Sequence, residues 1–104
     1  MIGVDIGGTN LLVGRIENGM VTERLHADIV RGANFDAVVE QTCDLVRSIG
    51  GENIERVGIA VAGGVDCTRG VVLRAQNLNW DNVPLGSEVA NKLGCEVVIE
   101  NDVT

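Results

Sequence analysis

Short apolar runs that end in glycine or in an Asn-Asp pair constrain the fold of this chain most. Three such runs occupy residues 2–6, 57–62 and 97–99, and they are followed by residues 7–10, 63–66 and 101–102. Glycine makes up 14 of the 104 residues, which is roughly twice its usual share of about 7%. Because these glycines close apolar runs and do not form a linker, they are typical of turns at the ends of buried strands.

The N-terminal quarter of the chain predicts an antiparallel meander of three strands. Residues 2–6 and 11–16 are mainly apolar, and residues 20–27 alternate loosely along the chain. Asn18 and Gly19 stand between the second and third runs, and both tolerate the positive φ that a tight hairpin turn requires. These three segments are therefore expected to pair as neighbours.

The hydrophobic period changes from two to about 3.6 at residue 34. Apolar side chains recur at three- and four-residue steps over residues 34–49, which predicts a helix with Asn34 as its N-cap and a Gly-Gly pair at its end. The pattern then predicts a strand covered on both faces, a short strand, a second helix closed by Gly94 and a last buried strand. These elements occupy residues 57–62, 71–73, 84–93 and 97–99.

This order of elements predicts one α/β domain over residues 1–104. A strand, a helix and a second strand in sequence indicate a parallel crossover pair, so the sheet is expected to be mixed. Three antiparallel strands followed by helix–strand–helix–strand are the plan of ribonuclease H-like and actin-like ATPase lobes. In open sheets of this kind, ligands collect at the carboxyl ends of the parallel strands.

Charge and composition argue against several classes of function. The net charge of −7 argues against a broad surface for nucleic acid. No apolar run approaches the ~20 residues that span a bilayer, and the N-terminal segment lacks the basic and apolar regions of a secretory signal. Cys43, Cys67 and Cys95 are widely spaced and odd in number, which indicates reduced thiols and neither a zinc knuckle nor a disulfide framework. We therefore expect a cytoplasmic protein with no nucleic-acid or membrane partner.

The first strand end carries an acid, two glycines and a hydroxyl. Gly7 and Gly8 let the backbone turn tightly and present bare N–H groups to phosphate oxygens, and Thr9 adds a hydroxyl donor. Asp5 is a carboxylate suited to holding Mg²⁺ through water. An ordinary Gly-Gly hairpin with a buried acid nearby explains the same pattern, and neither GxGxxG nor GxxxxGK[ST] is present.

The other two strand ends carry weaker signals. Gly63 and Gly64 would let a ligand approach the backbone closely, although a simple turn explains them better when they are taken alone. Asn101 and Asp102 could grip adjacent sugar hydroxyls, and Asp102 could accept a proton from an attacking hydroxyl. The alternative for this pair is a loop with turn propensity.

Taken together and in order, these segments resemble the N-terminal lobe of ROK-family sugar kinases. The matching stretches are DIGGTN at 5–10, GIAVAGGVD at 58–66, GVVL at 70–73, NLNW at 77–80 with VPL at 83–85, and END at 100–102. Ala62 and Gln76 stand where the family usually has proline, and a Val-Thr pair replaces the usual Ala-Asn pair after residue 102. The resemblance extends over residues 1–104.

The resemblance implies a kinase that transfers a phosphoryl group from ATP to a hexose, with the 6-hydroxyl of glucose as the first expectation. Such an enzyme acts in carbohydrate metabolism and glycolysis. Asp102 would be the general base, and Asp5 would hold Mg²⁺ through water. The sugar contacts would come from Gly63, Gly64, Asn77, Asn101 and Asp102. The ATP phosphates would face Asp5, Gly7, Gly8, Thr9 and Asn10.

The same resemblance implies that a C-terminal lobe is absent from this sequence. A structural zinc is expected only in that lobe, since the family's zinc motif has no counterpart here. The chain alone is then expected to be inactive and to form a homo-oligomer through the surface that the lobe would cover. The alternatives are an N-acetylmannosamine kinase or fructokinase of the same family, or a non-catalytic lobe that serves folding or assembly. A ribonuclease H-like nuclease needs several converging acids, which the glycines after residue 62 do not supply.

Overall fold

The computed structural model describes residues 1–30, 32–51, 54–75 and 78–101. In that part of the chain, eight strands and two helices alternate in the predicted α/β manner. The strands are β1 (Ile2–Ile6), β2 (Asn10–Glu17), β3 (Met20–Asp28), β4 (Arg56–Val61), β5 (Gly64–Asp66), β6 (Val71–Ala75), β7 (Trp80–Val83) and β8 (Glu96–Asn101). The helices are α1 (Phe35–Gly50) and α2 (Leu85–Leu93).

The larger sheet has five strands in the order β3-β2-β1-β4-β8. The predicted meander is confirmed, because β1 pairs antiparallel with β2 and β2 pairs antiparallel with β3. Asn18 and Gly19 take the expected positive φ values of 53° and 77° at the hairpin. The predicted mixed sheet is also confirmed, since β4 pairs in parallel with both β1 and β8.

Local chemistry sets the start of α1 and the ends of both helices. The side chain of Asn34 accepts a 2.8 Å hydrogen bond from the backbone nitrogen of Ala37, as expected of an N-cap. Gly51 follows α1 with φ 67°, and Gly94 follows α2 in the left-handed conformation. In the described ranges, no helix combines the length and the hydrophobicity that crossing a membrane requires.

A second, three-stranded antiparallel sheet in the order β5-β6-β7 was not predicted. The sequence pattern indicated only one short strand over residues 71–73. Strands β5 and β7 are three and four residues long and carry glycine, aspartate and asparagine, so they have no apolar alternation to reveal them. Pairing with the central, largely apolar β6 provides the hydrogen bonds that keep them extended.

The core lies between the larger sheet and the two helices. Ile6, Val61 and Ile99 are among the fully buried residues that this face of the sheet contributes. The opposite face carries no helix in the described residues, so the prediction that residues 57–62 are covered on both faces is wrong there. Gly14, Gly3 and Gly58 lie side by side on that open face and leave a groove of about 490 Å³.

Candidate active site

The carboxyl ends of β1, β4 and β8 lie level with one another. Ile6 is in register with Val61, and Val61 is in register with Asn101. Because neighbouring strands are about 4.8 Å apart, the three ends span roughly 10 Å of one sheet edge. All three strand ends that the sequence analysis singled out therefore meet at this edge, as expected for an open α/β sheet.

The turn between β1 and β2 carries backbone N–H donors at its tip. The amide of Gly7 donates a 2.9 Å hydrogen bond to the carbonyl oxygen of Asn10, which closes the turn. The carbonyl oxygen of Thr9 accepts a 2.8 Å bond from the amide of Ile29. The amides of Gly8 and Thr9 have no hydrogen-bond partner among the described residues. Two of the predicted phosphate ligands are thus available to an anion, whereas the Gly7 amide is not.

Asp5 lies inside β1, one residue before its carboxyl end. It is half-buried on the open face of the larger sheet, where it lines the groove. Glu100 lies in the same row two strands away, since Asp5 is in register with Ala60 and Ala60 with Glu100. No role for Glu100 was predicted from the sequence. Successive side chains of a strand point to opposite faces of the sheet, so Glu100, which follows the buried Ile99, lies on the same face as Asp5.

Gly63 is required by the protein's own backbone. Its φ is 153°, and a Cβ built there would overlap the carbonyl oxygen of Arg74 and stand 3.1 Å from the Cα of Ala75. Gly64 is in register with Arg74 at the start of β5, and no atom lies within 4 Å of a Cβ built on it. On the side where a Cβ would stand, the group that approaches Gly63 is β6, and a ligand contact at Gly63 stays a prediction.

Gly8 and Thr9 line a cavity of about 880 Å³ on the helix side of the sheet edge. The loop before α1 and the strand β7 form its other walls. Trp80 is only 3% exposed and packs edge-on against Phe35, with ring centroids 5.2 Å apart. The Trp80 Nε1 atom is buried without a hydrogen-bond partner in the described part of the chain. Asp5 does not line this cavity. The predicted phosphate and magnesium ligands therefore lie at one sheet edge but do not share one pocket.

Two of the predicted sugar ligands, Asn77 and Asp102, lie outside the described residues. Asn101 is exposed at the end of β8. Within the described ranges, no group of three or more His, Cys, Asp or Glu residues could hold a metal ion by itself. A magnesium ion at Asp5 would therefore depend on water and phosphate oxygens for most of its ligands, which is the usual arrangement for Mg²⁺.

A model of the ROK family matches residues 1–104, and the chain belongs to the ROK family. It is 33% identical to the glucokinase of Thermotoga maritima over 105 residues, which cover 98% of this chain and 33% of that protein. It is 35% identical to the glucokinase of Streptomyces coelicolor over 104 residues, 97% of this chain and 32% of that protein.

The fold is also that of a solved ROK kinase. A ROK family glucokinase from Streptomyces griseus, in complex with glucose and AMPPNP, matches with a TM-score of 0.87 and 36% identity. The match covers 97% of this chain and 32% of that one, so the chain spans about a third of the length of these relatives. The fold class predicted from the strand order, an actin-like lobe with a mixed sheet, is confirmed.

Proposed function

We propose that residues 1–104 form the N-terminal lobe of an ATP-dependent hexose kinase, with glucose as the first candidate acceptor. The observation that carries the proposal is the level register of Ile6, Val61 and Asn101, which brings three chemically distinct strand ends to one edge. Two glucokinases related over nearly the whole chain, and the glucose-bound Streptomyces griseus enzyme, support the same reading.

On the nucleotide side, the tip of the first turn would bind the phosphates. The amides of Gly8 and Thr9, which have no partner in the described part of the chain, suit phosphate oxygens, and the half-buried Asp5 carboxylate suits a hydrated magnesium ion. Gly7 and Asn10 would shape the turn through their mutual hydrogen bond. Bound Mg²⁺ would bridge phosphate oxygens and neutralise the charge that develops on the transferred group.

On the sugar side, Asn101 would bind hydroxyls through its amide, beside the Gly63-Gly64 turn, while Asn77 would supply a further contact. Asp102 would accept the proton of the attacking hydroxyl, which is a poor nucleophile until that proton has an acceptor. Holding the hydroxyl in line with the phosphoryl group would supply much of the rate enhancement. Closure of a second lobe would exclude water as a competing acceptor.

The proposal also includes the location and the oligomeric state of the protein. A cytoplasmic location and a homo-oligomeric state are part of it, the latter because the open sheet face exposes Leu12 and Val21. N-acetylmannosamine and fructose are the alternative acceptors within the family. A lobe that serves folding or assembly without catalysis is the alternative of a different class.

Sugar titration tests the acceptor side directly. The 104-residue chain is titrated calorimetrically with glucose, N-acetylmannosamine and fructose. We expect saturable binding of glucose that Asn101→Ala abolishes and Asn91→Ala leaves unchanged, because Asn91 is an exposed residue of α2 and serves as the matched control. Equal effects of the two variants would contradict the proposed sugar site, and preferential binding of another sugar would replace glucose as the acceptor.

Turnover requires the second wall of the cleft, which a chimera provides. Residues 1–104 replace the corresponding part of the Streptomyces griseus glucokinase, the relative whose match has a TM-score of 0.87. We expect glucose-dependent ATP turnover by the chimera and none by the 104-residue chain. A folded chimera that binds glucose without turning over ATP would favour the non-catalytic alternative, and turnover by the 104-residue chain would overturn the two-lobe proposal.

A further inference from the structure

Arg74 lies next to the Gly63-Gly64 turn and has no acidic partner among the residues that the structure describes. The structure describes seven basic side chains, since Arg31 lies outside the described residues. Five of them lie within 4.0 Å of a carboxylate oxygen. The two that do not are Arg24 and Arg74. Acidic residues outnumber basic ones in this chain, 15 to 8, so an arginine that pairs with none of the described acids is unusual.

The nearest candidate partner of Arg74 in the sheet does not neutralise it. Asp81 is directly opposite Arg74 in the β6–β7 register. Both residues are exposed, and no ion pair between them occurs in the described part of the chain. Opposite charges in such cross-strand positions normally attract one another. Within the described residues, the side chains of Arg74 and Asp81 make no hydrogen bond, so a guanidinium donor and a carboxylate acceptor stand opposite one another in the sheet.

The backbone of Arg74 is fixed relative to the candidate site. Its carbonyl oxygen lies so close to Gly63 that only glycine fits there, and its backbone is in register with Gly64. The backbone from which the guanidinium side chain extends is therefore held next to the glycine pair. Arg24 has no such relation, because it lies on the edge strand β3 in register with Gly14, away from the level strand ends.

We propose that Arg74 binds a phosphoryl group at the Gly63-Gly64 turn, with Asp81 accepting a hydroxyl of the same or the adjoining ligand. A guanidinium presents paired N–H donors that match two phosphate oxygens, whereas a carboxylate only accepts. The inference rests on the proposed kinase function for the source of that group. Two sources share this chemistry: a phosphorylated hexose and the terminal phosphate of the nucleotide.

Chemical-shift titration of the 104-residue chain tests the proposal and separates the two sources. The probes are glucose 6-phosphate, inorganic tripolyphosphate as a mimic of the nucleotide phosphates, and glucose as the uncharged control. Binding is followed at the amides of Gly63, Gly64 and Arg74 at low and high salt. The variants are Arg74→Gln and the matched Arg24→Gln, which removes the other unpaired cation.

We expect Arg74→Gln to lower the affinity for one of the phosphorylated probes about tenfold or more, because a charge-assisted pair of hydrogen bonds is lost. Binding of glucose should stay unchanged, and Arg24→Gln should alter nothing. The probe that loses affinity identifies the source of the phosphoryl group. Added salt should weaken the binding of the phosphorylated probes to the wild-type chain.

Three results would overturn the inference. In the first, both variants weaken the binding of the phosphorylated probes equally. In the second, Arg74→Gln weakens the binding of glucose as much as that of the phosphorylated probes. In the third, the wild-type chain binds no phosphorylated probe. If glucose binds and the phosphorylated probes do not, only the role of Arg74 fails and the kinase proposal stands. If the phosphorylated probes bind through Arg74 and glucose does not, the inference holds and the hexose acceptor is wrong.

Discussion

The backbone nitrogen of Gly86 donates a 2.9 Å hydrogen bond to the carbonyl oxygen of Gly70, and this contact joins α2 to the turn before β6. A Cβ built on Gly86 would lie 3.1 Å from that oxygen and 3.3 Å from Cγ1 of Ile99. Ile99 precedes Asn101 by two residues on β8. The two glycines therefore set how closely a helix and the smaller sheet pack against the strand that ends at the candidate site.

Gly86→Ala should destabilise the chain by about 1 kcal/mol. Alanine gains roughly 1 kcal/mol of helix propensity over glycine, but overpacking costs about 1–3 kcal/mol, and here two of the three close neighbours are backbone atoms. Urea denaturation measures the difference, with Ser87→Ala as the control at the next, exposed position. Stabilisation by Gly86→Ala would show that the Gly70 turn can move away.

Gly63→Ala should be far more damaging than Gly64→Ala. At Gly63 the new methyl group would overlap the carbonyl oxygen of Arg74, and the φ of 153° is one that alanine rarely adopts. We expect a loss of at least about 2–3 kcal/mol in the free energy of unfolding. At Gly64 the same substitution meets open space and should change stability by less than about 1 kcal/mol. Similar midpoints in urea for the two variants would contradict this account of the turn.

The link between Glu40 and Lys92 should give the stability a defined pH dependence. The two side chains approach to 2.5 Å across α1 and α2. The hydrogen bond and charge of Lys92 hold the pKa of Glu40 below its ordinary value of 4.5, and Glu40 raises the pKa of Lys92 above 10.5. The stabilisation is therefore complete between these values. It is lost as the pH falls through the lowered pKa of Glu40, or rises through the raised pKa of Lys92.

Glu40→Gln should accordingly lower Tm slightly at neutral pH and leave Tm unchanged in strong acid, where Glu40 is protonated in both states. The effect is small because both side chains are exposed to solvent. Thermal unfolding across the acid range measures it, with Glu23→Gln as an exposed control that has no ion-pair partner in the described residues. A constant difference in Tm at every pH would rule out the ion pair as the cause.

Asp102→Asn, placed in the chimera, should lower turnover by ~10²–10⁴-fold while glucose binding survives. Asparagine keeps the size and one acceptor oxygen of aspartate but cannot take the proton of the sugar hydroxyl. Asp5→Asn should instead raise the requirement for Mg·ATP and leave glucose affinity nearly unchanged. Steady-state kinetics and calorimetry on both variants provide the measurement. Turnover close to normal in Asp102→Asn would assign the base to another residue.

The predictable part of the fold is the part governed by periodicity. The helix over residues 34–49 was visible because Val38, Val39, Thr42 and Val46 lie on one face, and all four are buried. The smaller sheet was not visible, because β5 and β7 owe their extended form to pairing with β6 and not to their own residues. Pairing across a sheet is a non-local property, and a pattern read along the chain does not contain it.

The same distinction applies to the candidate site. Gly8 and Thr9 were predicted as phosphate ligands from local chemistry, and that role stays a prediction; their amides have no hydrogen-bond partner among the described residues. The use of the Gly7 amide within the turn, and the packing of Gly63 against β6, depend on partners that the local sequence does not specify. Glu100 was missed for a related reason, since its place in the same row as Asp5, two strands away, follows only from the register of β1 with β4 and of β4 with β8.

The level ends of β1, β4 and β8 also have a consequence for synthesis on the ribosome. Residues 6, 61 and 101 are far apart in the chain, and β8 is the last of the described strands to emerge. Once the meander, α1 and β4 have emerged from the ribosome, they can begin to pack before the third strand end has been synthesised. The third strand end would therefore join the binding edge only late in synthesis, and a stalled or proteolysed product that ends before β8 would carry a partial core without a complete binding edge.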